Sequence, residues 1–174
     1  EGDVDRAIVE LRNVFQLDGG HVEARRTMAD LQIEKGNRRA AYRQYLILAE
    51  RDPEDVESRI ELSEMAFGFQ RWDELDRHGE QVETLAPDEP RVKAIALTRA
   101  YRTAAANDDV AERRDLGNKA KIMRDETPDN LLLRSVVMDN AIREQDFNKA
   151  LAEVDWMIAN DPESTLYYQE RLRI

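Results

Sequence analysis

Apolar residues recur along this chain at the three- and four-residue spacing of an amphipathic α-helix. Residues 22–55, VEARRTMADLQIEKGNRRAAYRQYLILAERDPED, show the pattern most clearly. One helical pattern precedes the turn signal Gly36-Asn37, and a second follows it and stops at Pro53, because proline cannot continue a helix. The stretch is therefore predicted to form two helices joined by a tight turn.

The same plan returns along the rest of the chain at a nearly constant interval. The position that ends each repeat lies at Gly19, Pro53, Pro87, Pro128 and Pro162, in steps of 34, 34, 41 and 34 residues. We therefore divide the chain into repeats, each predicted to be a pair of helices. The predicted segments are 1–21 (the second half of a repeat), 22–55, 56–89, 90–130 and 131–164 (complete repeats) and 165–174 (the start of a further repeat).

The repeat at residues 90–130 is seven residues longer than its neighbours, since its step is 41 instead of 34. Seven residues amount to about two helical turns. We expect about one additional turn on each helix, so that this pair projects at its internal turn. A flexible loop around residues 104–109 is the alternative.

Two stretches carry a resemblance to a known family. GDVDRAIVELRNVFQLD at residues 2–18 and DFNKALAEVDWMIANDP at residues 146–162 resemble the turn and second helix of a tetratricopeptide repeat. A two-helix repeat with a period near 34 residues is the signature of that family. The resemblance implies an all-α fold, an α-solenoid in which antiparallel helix pairs stack into a right-handed superhelix and each pair packs on its neighbours.

The resemblance also implies where a partner would bind, because the first helix of each pair lines the concave face of such an array. The matching residues are Arg26, Asp30, Ile33, Ile60, Glu64, Phe67, Thr98, Tyr101, Arg102, Asp139, Ile142 and Arg143, with Arg91 and Ser135 beside them. We expect Phe67, Tyr101 and Ile142 to be the anchors, since apolar side chains in a groove commonly anchor binding.

Chaperone-binding members of the family resemble one another in a clamp of Lys, Asn and Arg that holds a C-terminal carboxylate. The matching positions here are Arg26, Asp30, Ile60 and Glu64. Acidic side chains stand where the clamp has Asn, and they would repel a carboxylate. We therefore do not expect that clamp.

The leading function implied by the resemblance is a non-catalytic scaffold that binds a peptide or partner segment in the concave groove. Two hypotheses from other classes stay open: the docking or regulatory region of a larger enzyme or of an export or assembly machine, and a self-assembling structural array. The chain begins and ends inside a repeat, so we expect apolar surface on its terminal helices and end-to-end self-association. The opening, residues 2–26, resembles bacterial envelope-associated repeat proteins and favours an envelope or periplasmic location.

Composition and charge argue against some classes of binding partner. The formal net charge is −11, and this argues against nucleic acid or an anionic membrane surface, which both need a positive footprint. The apolar runs are far shorter than the roughly 20 residues that cross a bilayer, so membrane insertion is not expected. A protein or peptide partner remains.

Candidate chemistry is sparse. The chain has no cysteine, and His21 and His78 lack the spacing of a metal-binding pair and are expected to be solvated. No glycine-rich phosphate loop or GxSxG elbow is present. We expect no catalytic site, no metal and no cofactor. Trp156 is expected on the convex side, either as a contact surface or covered by a helix or a long charged side chain.

Overall fold

The computed structural model describes residues 2–162 and 164–174, and within them it contains ten helices and no strand. The helices are α1 Gly2–Leu17, α2 Val22–Glu34, α3 Arg38–Arg51, α4 Val56–Gly68, α5 Trp72–Leu85, α6 Pro90–Ala106, α7 Val110–Glu126, α8 Leu131–Arg143, α9 Phe147–Asn160 and α10 Thr165–Arg173. The predicted fold class, an all-α helical-repeat solenoid, is confirmed. Among these helices, none has both the length and the apolar character that a membrane span requires.

The helices fall into two compact units that divide between Pro87 and Asp88. Unit 1 contains α1 to α5 and unit 2 contains α6 to α10. Within each unit every helix packs on the next helix in the chain, and in unit 2 α6 also contacts α8. Each helix pair is too small to bury its own apolar face, so it uses its neighbours to do so.

Side-chain caps set where most helices begin. Asn37, Asp55, Asp109, Asn130 and Asp146 each precede a helix and accept a hydrogen bond from the backbone N–H three residues on, at 3.0 to 3.3 Å. Such a bond satisfies one of the four free N–H groups at a helix start and typically contributes about 1 kcal/mol.

The tight turns inside the helix pairs share a left-handed residue. Gly36 has φ 71°, and the corresponding residues Gln70, Asp108 and Gln145 have φ 57°, 54° and 61°. Glycine takes this conformation without steric cost and Asp is one of the few other residues that visit it, so Gln70 and Gln145 are the two that sequence reasoning would not select.

The long repeat differs from the others in its helices. The helices α6 and α7 have 17 residues each, whereas α8 has 13 and α9 has 14. The additional residues therefore lengthen both helices, and the alternative of a flexible loop around residues 104–109 is wrong. Asp109 is the capping residue, and Asp108 occupies the left-handed turn position.

The helices α3 and α5, each the second helix of its pair, carry a small and a large core residue in opposite order. Where α3 has Ala41 and Tyr45, α5 has Leu75 and Gly79, and all four are buried. The large residue is therefore at the earlier of the two positions in α5 and at the later one in α3.

Several large apolar side chains are exposed. They are Ile33, Trp72, Phe147, Tyr168 and Leu172. Trp72 and Phe147 are the first residues of their helices and Ile33 lies one residue before the end of its own, so the facing helix does not cover them. On α10, Tyr167 is buried in place of Tyr168 and Leu172, because that helix turns a different side toward α9.

The terminal helices leave apolar side chains uncovered. Leu17 on α1 is 92% exposed and Leu172 on α10 is 87% exposed. Self-association through these helices stays a prediction.

Gly117 on α7 provides a test of how tightly unit 2 is packed. A Cβ added there would lie 2.5 Å from Cγ of Asn140, whose buried side chain accepts a hydrogen bond from Nη1 of Arg113 at 2.9 Å. We expect Gly117→Ala to lower the free energy of unfolding by about 1–2 kcal/mol, since overpacking outweighs the gain in helix propensity. Urea denaturation measures the change.

Gly68 on α4 is the matched control, because no atom lies within 4 Å of an added Cβ there. Gly68→Ala is expected to raise the free energy of unfolding by up to about 1 kcal/mol. A change of the same sign in both variants would show that the contact with Asn140 is not the cause.

Candidate protein-binding surface

In unit 1 the residues predicted to bind a partner lie on α2 and α4, and Arg26 among them has a structural task. Its Nη2 lies 2.7 Å from Oδ2 of Asp55, the residue that caps α4. Asp55 is buried and also accepts hydrogen bonds from the backbone N and Oγ of Ser58 at 3.1 and 2.6 Å. Burial raises the pKa of Asp55, but the hydrogen bonds from Ser58 and Arg26 outweigh it and hold the pKa below its ordinary value.

Several carboxylates lie close enough to the hydroxyl of Tyr45, in the same unit, to affect its pKa. Burial raises the pKa of Tyr45, and the carboxylates of Glu61, Asp30 and Glu57 raise it further. Asp30 is exposed on α2, whereas Glu57 and Glu61 lie on α4. Three carboxylates from α2 and α4 therefore act on the Tyr45 hydroxyl, and Arg26 opposes them.

The turn between α4 and α5 carries an aromatic cluster that sequence reasoning did not single out. Phe67 meets Trp72 edge to face with ring centroids 5.9 Å apart, and Phe69 meets Tyr42 in the same way at 5.8 Å. The guanidinium of Arg71 lies 5.5 Å from the ring centroids of both Tyr42 and Phe69. Phe67 is half-buried, so part of its ring is accessible beside the exposed Trp72.

In unit 2 the predicted residues on α6 and α8 form a hydrogen-bonded group. The hydroxyl of Tyr101 donates to Oδ2 of Asp139 at 2.7 Å, and Nε of Arg143 donates to the same oxygen at 2.7 Å. Burial raises the pKa of Tyr101, and Asp139 raises it further, so the hydroxyl stays a donor at neutral pH. Ile142 and Arg102 lie half-buried on the same two helices.

Three of the predicted binding residues are not accessible. Ile60, Thr98 and Tyr101 are buried, so the expectation that they face a partner is corrected. Tyr101 packs among apolar residues of α6, α7 and α8, and the hydroxyl of Thr98 donates to the backbone oxygen of Ala94 at 2.8 Å. The other predicted residues, Arg26, Asp30, Ile33, Glu64, Phe67, Arg102, Asp139, Ile142 and Arg143, are half-buried or exposed.

The two histidines have different environments. His21 is exposed, and its Nδ1 accepts a hydrogen bond from the backbone N of Ala24, so it caps α2. His78 on α5 is only 4% exposed, and the prediction that it is solvated is wrong. The side of α5 that bears His78 could be assigned only once the packing of α4 against α5 was known. No group of three or more potential metal ligands occurs in the described residues.

Trp156 is partly covered by a charged side chain, which was one of the two expectations for it. The guanidinium carbon of Arg134 lies 3.7 Å from the centroid of the Trp156 ring. The same Arg134 donates from Nη1 to Oε2 of Glu153 at 2.7 Å, and Arg124 pairs with the other oxygen of Glu153. Sequence reasoning missed this buried group, although an arginine recurs as the fourth residue of α2, α4 and α8.

Comparison with known proteins agrees with this architecture. Residues 1–59 match a family model described as tetratricopeptide repeat. A search of curated proteins found no match. The helices beyond residue 59 continue as consecutive pairs with tight turns that share a left-handed residue. The match over residues 1–59, together with helix pairs of the same kind in both units, supports a tetratricopeptide repeat architecture.

Proposed function

We propose that this protein is a non-catalytic scaffold that binds a segment of a partner protein, and that the exposed side of α6 and α8 is a contact surface. Tetratricopeptide repeats generally mediate protein–protein interaction and are typically non-catalytic. The observation that supports this surface is the hydrogen-bonded carboxylate of Asp139.

Asp139 is held ready to accept a further hydrogen bond. Both of its bonds, from Tyr101 and Arg143, go to Oδ2, and Oδ1 has no partner within residues 2–162 and 164–174. The side chain is 40% exposed. Because two donors already orient the carboxylate, a partner that donates to Oδ1 loses little conformational entropy in ordering it.

Ile142 places an apolar contact beside this acceptor. It lies three residues after Asp139 on α8, and side chains at that spacing share one face of a helix. Part of Ile142 packs on the apolar cluster of α8, α9 and α10, and the rest is accessible. The chemistry that fits is a partner segment with an N–H donor, such as Lys, Arg or a backbone amide, next to an apolar side chain. The net charge of −11 favours a basic segment, since opposite charge speeds encounter.

A peptide-display selection against the immobilised protein tests the proposal. We expect the selected peptides to contain a Lys or Arg close to a large apolar residue. For one selected peptide, isothermal calorimetry would compare the wild type with the Asp139→Ala, Ile142→Ala double variant. We expect the double variant to bind at least about tenfold more weakly, which corresponds to about 1.4 kcal/mol.

Asp155→Asn on α9 is the matched control, because Asp155 is also an exposed carboxylate paired with an arginine, here Arg171, but at a different surface. It is expected to bind the peptide like the wild type. Equal affinity for the wild type and the double variant would refute the proposed surface.

A further inference from the structure

In three helix pairs, an arginine near the start of the first helix makes the same hydrogen bond to the end of the preceding repeat. Arg25, Arg59 and Arg134 are the fourth residues of α2, α4 and α8. Each donates from Nε to a backbone oxygen six residues earlier, at the end of the preceding repeat. The acceptors are Gly19, Pro53 and Pro128, at 3.0, 2.9 and 2.6 Å.

In all three pairs the same guanidinium also reaches the second helix, and in two of them the acceptor is at the same position of that helix. Nη1 of Arg25 donates to Oε1 of Gln44 at 2.8 Å, and Nη1 of Arg134 donates to Oε2 of Glu153 at 2.7 Å. Both acceptors lie 19 residues after their arginine. These contacts join the first helix of a pair to the second.

In the pair α4–α5 the position 19 residues after Arg59 is His78, which does not accept from Arg59. Nη1 of Arg59 bonds to Oε1 of Gln81 instead. Nε2 of His78 lies 3.2 Å from Nη2 of Arg77, and Arg has no acceptor, so Nε2 must be the accepting nitrogen. The neutral ring then carries its proton on Nδ1, which is buried without a hydrogen-bond partner.

Adding a second proton to the His78 ring is unfavourable. That proton would sit on Nε2, where it breaks the contact with Arg77. The charged groups that face the ring are Arg59 from α4 and Arg77 and Glu74 from α5 itself. Burial, Arg77 and Arg59 lower the pKa of His78 to about 4, and Glu74 opposes them only in part.

We propose that the α4–α5 pair is a pH-sensitive element of unit 1, which opens when His78 takes up a proton. The direction follows from linkage, since the folded pKa lies below that of an unfolded histidine, about 6.5. The stability that depends on neutral His78 is complete above pH 6.5 and is lost as the pH falls from 6.5 toward 4. Opening would displace the aromatic cluster at the α4–α5 turn, including Phe67 and Trp72.

Hydrogen exchange resolved by peptide and followed by mass spectrometry measures the opening at pH 7 and pH 5, after correction for the intrinsic exchange rates. We expect protection in residues 56–85 to fall about twentyfold between the two pH values, which is the linkage ratio for a shift from about 6.5 to about 4. Residues 131–160 serve as the internal reference. They form α8–α9, where Glu153 replaces His78 at the matching position, and their protection is expected to change by less than about threefold.

His78→Gln places the residue type of Gln44 at this position, and Gln does not titrate. We expect its protection in residues 56–85 to be nearly the same at pH 7 and pH 5. His21→Gln changes the other histidine and is expected to keep the loss of the wild type. Persistence of the full loss in His78→Gln would overturn the proposal, as would equal protection of the wild type at both pH values.

A measurement on the wild type covers the case in which His78→Gln fails to fold. Titration of the His78 ring by heteronuclear NMR is expected to show the neutral ring down to well below pH 6. A midpoint at or above about pH 6.5 would mean that folding does not lower the pKa of His78, and this result would refute the proposal.

Discussion

Replacing Glu153 by alanine is expected to destabilise unit 2 by about 3–5 kcal/mol, because it leaves buried guanidinium groups without their counter-charge. Glu153 and Arg134 are both buried, and Arg124 is largely covered. Glu153 accepts from Arg134 with Oε2 at 2.7 Å and pairs with Arg124 through Oε1. Urea denaturation followed by circular dichroism measures the loss.

Trp156 provides a local readout of the same substitution. The guanidinium of Arg134 lies over its ring and is anchored by Glu153 and by the backbone oxygen of Pro128 at 2.6 Å. Loss of one anchor frees the guanidinium, so the tryptophan emission of the folded Glu153→Ala variant is expected to change.

Asp155→Asn on the same helix is the control for Glu153→Ala. Asp155 accepts from Nε of Arg171 at 2.6 Å, but about half of each side chain is exposed. Exposed ion pairs contribute about 0–1 kcal/mol, so little destabilisation is expected. If both variants lost the same small amount, the Glu153 group would not be the buried anchor that its geometry indicates.

Leu75→Ala is expected to cost about 2–5 kcal/mol of folding free energy, the range for truncating a buried leucine. Leu75 is fully buried on α5, one turn before the buried Gly79. On α3 the corresponding positions are Ala41 and Tyr45, so Tyr45 supplies the bulk there that Leu75 supplies here. Truncation would leave two small residues on successive turns of α5 and a cavity that neither can fill.

Leu85→Ala, at the end of the same helix, is the control. It shows how much stability is lost when a leucine side chain is truncated without leaving a buried cavity. Leu85 is 38% exposed, and its truncation is expected to cost less than about 1 kcal/mol. Thermal unfolding of the two variants under the same conditions gives the comparison. Similar losses in both would contradict the exchange of large and small residues between α3 and α5.

Much of the architecture was predictable because it rests on local signals. Apolar spacing and the recurring prolines indicated helix pairs, and they indicated that the additional residues of the long repeat belong to its helices. The cap at Asp109 is also a local signal, since it needs only a short acceptor side chain directly before the helix. Each of these features depends on residues within a few positions of one another.

The candidate surface was predictable only in part. Asp139, Ile142 and Arg143 are accessible at positions that the family resemblance indicated. Ile60 and Tyr101, chosen in the same way, are buried, because the neighbouring helices cover them. The bond from Tyr101 to Asp139 joins residues 38 positions apart, and no local pattern indicates it.

The sequence by itself determined the helices, their pairing and the acidic character of the molecule. The tertiary structure decided which polar side chains are buried. His78, Arg134 and Glu153 look in the sequence like ordinary surface residues of their helices, and each is buried. The reason is that a helix has a local cause in its own residues, whereas burial and charge pairing depend on the facing helix and on its exact register.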